Sequence, residues 1–114
     1  MGFDLERYEA LMARALGALD PWASLQEALA DQSLPADLRA ALAGVDEDGL
    51  RVSGLLVAKL RFERLVNGSS ELARWFEEDA QGFTAAFRRY HAGVPSTALF
   101  PSDEVASFER WRRG

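Results

Sequence analysis

The chain lacks cysteine altogether and carries a single histidine, a single lysine and four prolines among its 114 residues. Without cysteine there is no disulfide scaffold, no thiolate zinc site and no cysteine nucleophile. No apolar run approaches the roughly 18 residues a membrane span requires. Asp4, Glu6 and Glu9 interrupt the amino-terminal stretch that a secretory signal would make basic and then apolar. A cytoplasmic protein with no membrane partner is therefore expected. Positive charge is also short, since 13 basic against 18 acidic residues leave a net charge of −5, which opposes nonspecific attraction to nucleic-acid phosphates.

What is present suits a self-sufficient helical domain. With 48% hydrophobic content, a chain of this length buries roughly 65% of the surface it exposes when unfolded, enough for a core without metal or disulfide support. One domain over residues 1–114 is expected. Nineteen alanines and twelve arginines favour helix. Leu5, Tyr8, Met12, Ala15 and Leu19 step by three or four residues from Asp4, a candidate N-cap. Asp20-Pro21 joins an N-cap to a first-position proline ahead of Trp22, Leu25 and Leu29. Ser33-Leu34-Pro35 repeats the signal before Leu38 and Leu42, and Gly44 is expected to stop that helix in a left-handed conformation.

Leu50 to Val66 is the longest apolar segment, and Asp46-Glu47-Asp48 precede it where negative charge suits a helix start. Val52, Leu55, Leu56, Phe62 and Val66 form one stripe, with Leu50, Val57, Leu60 and Leu65 off it, so apolar residues cover most of the circumference. A helix of that kind is expected at the centre of the fold. Gly54 is costly inside a helix and Asp48-Gly49 is a hairpin signal, which makes a β-hairpin over residues 44–57 the alternative. Ser69 or Ser70, Asp79 and Ser102 mark three further helices, ending with one that carries Val105, Phe108 and Trp111. The fold class is all-α, a compact bundle of five to seven short helices around a central apolar helix at about residues 50–66.

Residues able to do chemistry are sparse. His91 stands at a helix end whose dipole would favour its charged form, but no Gly-x-Ser-x-Gly elbow accompanies it, and it reads as a capping or surface histidine beside a packed tyrosine. The carboxylates of Asp46–Asp48 and Glu77–Asp79 lack calcium-loop spacing, because Val57 stands where the loop's last glutamate belongs. Arg88 occupies the position at which a di-iron Glu-x-x-His pair needs its glutamate. No catalytic residue, metal site or cofactor is expected.

Eight of the twelve aromatic residues fall between Trp75 and Trp111. Residues 1–57 hold ten acidic and four basic side chains, and the remainder eight acidic and nine basic. The near-neutral half sets arginine beside aromatics in Arg88-Arg89-Tyr90-His91 and Arg110-Trp111-Arg112-Arg113. The helical spacing of Phe83, Phe87 and Tyr90 suits a core, and Phe100 of Leu99-Phe100-Pro101 suits a hydrophobic staple on the last helix. The surplus suits a partner face rimmed by arginine.

The cadence Phe87-Arg88-Arg89-Tyr90-His91, then Pro95, Phe100 and Phe108 resembles helical partner domains that accompany iron enzymes modifying ribosomal peptides. That likeness implies a small partner subunit of a modifying enzyme and, having no fixed motif, assigns no functional residue. From the residues themselves we expect a noncatalytic protein- or peptide-binding module, an accessory or regulatory subunit of a larger complex. Its expected partner-binding residues are Arg88, Arg89, Tyr90, His91, Phe100 and Trp111. A homodimer is open on the same surface. The alternative is a single-stranded nucleic-acid-binding protein using the same half.

Overall fold

Side-chain caps set the starts of most helices in the computed structural model, which describes residues 3–98 and 100–114. Helix α1 (Leu5–Gly17) opens with the Asp4 carboxylate accepting the Arg7 N–H at 3.0 Å, and α2 (Pro21–Leu29) with Asp20 accepting the Ala23 N–H at 3.1 Å. After α3 (Ala36–Ala43), Asp46 accepts the Gly49 N–H at 2.7 Å and starts α4 (Glu47–Gly68). Ser69 and Asp79 do the same for α5 (Ser70–Glu78) and α6 (Ala80–Gly93), and α7 (Pro101–Arg113) completes the chain. Each cap satisfies an N–H that the first turn leaves without an internal partner. The described residues are all-α, with seven helices and no strand.

Four local expectations are corrected. The hairpin over residues 44–57 is replaced by the first turns of α4, because the Asp46 cap turns Asp48-Gly49 into helix. Ser33 does not cap α3; its hydroxyl and N–H both bind Asp31, at 2.7 and 2.9 Å. Gly44 ends α3 with φ −83°, in the right-handed region. Ser102 lies within α7, whose N-cap position is Phe100.

Helix α4 is the organising rod. It packs against α1 and α2 along its first half and against α5, α6 and α7 along its second, in a molecule measuring 51 × 24 × 23 Å. Leu50 joins a buried cluster with Ala15, Leu25, Leu34, Leu38 and Leu42, while Leu65 joins a second with Leu72, Phe83, Phe87, Tyr90 and Phe108. Gly54 sits where α4 crosses the start of α2, and a Cβ there would stand 2.8 Å from Pro21 Cγ. Glycine is what permits the crossing, which accounts for its place inside a helix.

The face that α4 buries differs from the stripe expected of it. Leu50, Gly54, Arg61 and Leu65 point inward, whereas Val52, Leu55, Leu56 and Leu60 are exposed. The aromatic surplus, by contrast, is spent inside. Phe83, Tyr90 and Phe108 are fully buried, and their rings meet one another or Trp75, Phe76 and Trp111 at centroid distances of 5.1 to 6.5 Å. Short helices bury little area each, and large rings in edge-to-face contact supply it. Among the described residues no helix is long and apolar enough to cross a membrane.

Candidate functional site

Two features stand out, a buried polar knot and an apolar groove, and they share His91. The knot forms where α4, α6 and α7 meet. Arg61 is completely buried and Glu104 is 1% exposed. The guanidinium donates to Glu104 through Nε at 3.3 Å and Nη2 at 3.1 Å, and Arg64 adds a contact of 3.5 Å from the rim. Nη1 of Arg61 donates to the Val94 carbonyl at 2.7 Å and to His91 Nδ1 at 3.1 Å. The Tyr90 hydroxyl donates to Glu104 Oε2, and the tyrosine ring lies under the guanidinium, 4.5 Å from Cζ to centroid. No buried polar side-chain atom among the described residues lacks a partner. A buried ion pair broken on one side typically costs about 3–5 kcal/mol, so the knot disfavours any arrangement of the three helices that separates its members.

Electrostatics follow from this packing. Burial, followed by the positive charge of Arg61, holds the His91 imidazole below its ordinary value of 6.5, against a smaller opposing pull from Glu104. The expectation that the helix end would favour a charged, surface histidine is thereby reversed. Burial and the Glu104 carboxylate push the Tyr90 phenol above its ordinary value. A guanidinium has no acceptor, so His91 Nδ1 must accept and the ring's proton rests on Nε2.

The groove runs beside the knot, with α4 as one wall, Thr84 to His91 of α6 as the other and the turn between α1 and α2 closing one end. Its volume is about 890 Å³, and Leu55, Ala58, Phe62 and Phe87 make its surface largely apolar. The Phe87 ring stacks on His91 with 5.6 Å between centroids and 6° between planes. Leu55 belongs both to the groove and to the exposed apolar face of α4, and it is 71% exposed. A concave, largely apolar surface with a few polar groups in its walls suits binding.

The six residues singled out from sequence have different fates. Tyr90 and His91 are drawn into the knot, and Tyr90 offers no surface to a partner. Trp111 is partly buried and packs on Tyr90 and Phe108, which makes it part of the aromatic cluster. Arg88 is exposed on the groove wall, three residues before His91. Arg89 is exposed. Phe100 is 64% exposed and so forms no staple on α7, while its neighbour Leu99 lies outside the described residues. Sequence reasoning missed Arg61 and Glu104. Arg61 carried a signal, being an arginine in phase with Leu50, Gly54 and Leu65, whereas Glu104 is indistinguishable by position from any acid at a helix start.

Among the described residues no three carboxylate or imidazole side chains converge where a metal ion would sit. Comparison with family models, with curated proteins and with solved structures finds no match for the chain. The groove's own side chains offer apolar burial on Leu55, Ala58 and Phe62 and hydrogen-bond donation from Arg88.

Proposed function

We propose that the protein is a noncatalytic helical module that binds a protein or peptide, acting in the cytoplasm as an accessory or regulatory subunit of a larger complex, and that α4 carries its binding face. The observation behind this reading is the exposed line of Val52, Leu55, Leu56 and Leu60 on a helix whose opposite face is buried. Contiguous apolar surface rimmed by charge is a mark of association sites. The reading moves the contact surface from the arginine- and aromatic-rich half to the middle of the chain. It is favoured over single-strand binding because the rings needed to stack on bases are packed against one another. Affinity capture from the producing cell with wild type and with a Leu55→Glu/Leu60→Glu variant tests it, since both side chains lie outside the two buried clusters. A protein held by wild type and released by the variant is expected. The same captured set from both would overturn the proposal.

A further inference from the structure

The groove has a length and a charge pattern, and both bear on what it would hold. Its α4 lining runs from Arg51 to Val66, about 22 Å along an axis rising 1.5 Å per residue. That is four helical turns, a span suited to a peptide segment. Of its charged side chains, Arg51 is paired with Asp20 at 3.3 Å and with Glu47 at 3.1 Å, and Lys59 faces Glu63 at 3.8 Å. Arg88 has no acidic partner among the described residues. One unmatched cation thus stands on the α6 wall of a largely apolar groove, on a chain whose net charge is −5. Beside it His91 keeps its proton on Nε2, because Nδ1 is occupied by Arg61. Leu55, Ala58 and Phe62 give the α4 side of the groove an apolar strip among side chains whose charges are paired, and Arg88 stands across from it on α6.

We propose that this groove binds an amphipathic helix of a partner protein, its apolar stripe on Leu55, Ala58 and Phe62 and an aspartate or glutamate on its α6-facing side meeting Arg88. The inference rests on the protein-binding reading above and adds the chemistry of the partner. Helix-in-groove recognition reads apolar anchors at i, i+3 or i+4, and i+7, and a complementary rim charge fixes orientation. A basic segment would set like charge against Arg88.

A displayed library of helical peptides, selected in parallel on wild type, Arg88→Glu and Leu55→Glu, provides the test once thermal melts show all three folded. Wild type is expected to enrich apolar stripes with Asp or Glu at one fixed offset. A selected peptide should bind Arg88→Glu on the order of tenfold more weakly, and selection on that variant should enrich Lys or Arg at the same offset. Peptides lost on Leu55→Glu but indifferent to Arg88→Glu would overturn the pairing of an acidic residue with Arg88 while leaving α4 as the proposed binding face. Peptides insensitive to both variants, or no enrichment, would overturn the face as well. A wild-type dimer in sedimentation that Leu55→Glu dissociates would also overturn the proposal, by giving the groove face to a second copy.

Discussion

At the scale of single residues, His91 shows how one neighbour decides a side chain's chemistry. Its imidazole is held below its ordinary value by burial and by Arg61, with Glu104 of α7 opposing. In the unfolded chain the imidazole titrates near 6.5, and in the folded protein it titrates lower. Between those values the unfolded state binds more protons, so this contribution to stability is complete above about pH 6.5 and fades as the pH falls toward the folded value. His91→Asn gives a control, since the amide oxygen accepts from Arg61 but does not titrate. Melting temperatures measured from pH 7.5 to pH 5 should show wild type losing its advantage over the variant as acid is added; a constant difference would mean the ring does not titrate with folding. None of this was legible in the sequence, where His91 reads as superficial, because the group that buries and depolarises it comes from a position thirty residues earlier. The contacts of Arg61 with Glu104 cross forty-three residues, a separation no local pattern reports.

Helix starts, by contrast, were readable, because a cap is a contact between residues three apart. Asp4, Asp20, Ser69 and Asp79 all cap as their positions in the chain suggested. What failed at this scale were the starts of α3 and α7, whose N-cap positions are Pro35 and Phe100 instead of the expected serines, and the phase of α4. An apolar segment with leucine on every side gives no preferred face, and the face was chosen by Gly54 and Arg61 instead of by the leucines. The glycines separate into two kinds. A Cβ on Gly68 would lie 2.9 Å from the Pro101 carbonyl oxygen and 2.9 Å from Val105 Cγ2, whereas one on Gly93 would meet nothing within 4 Å. Gly68→Ala is accordingly expected to destabilise by about 1–3 kcal/mol through overpacking between α4 and α7. Gly93→Ala should stabilise by roughly 0.5 kcal/mol, because alanine costs less chain entropy in a helix. Denaturant midpoints at unchanged m-value check both; equal shifts in one direction would contradict the packing argument.

For the whole molecule, the fold class and the number of helices follow from the period of the apolar residues, but the exposed face of α4 proposed for binding did not. Aromatic residues were counted as surplus because a sequence does not show which helices meet, and α5, α6 and α7 close their rings against one another. The two buried clusters share only α4 as a continuous element, since Leu50 serves one and Leu65 the other. If the rod couples them, Leu42→Ala in one cluster and Phe83→Ala in the other should each cost about 2–5 kcal/mol and should lower one shared thermal transition. Calorimetry that resolves two peaks, each moved by only one of the variants, would show the clusters unfolding separately.

The chain between Val94 and Pro101 gains a property from its moorings. At one end the Val94 carbonyl is gripped by Arg61, and at the other Pro101 rests against Gly68. Both moorings belong to α4, seven residues or about 10 Å apart. In polymer terms the connection is a ring already closed by its supports, and doubling the length of such a ring costs only about 0.6 kcal/mol. Residues added between the exposed Ser96 and Thr97 would therefore cost the fold little, which makes that point the natural place to graft a foreign peptide, a tag or a reporter dye.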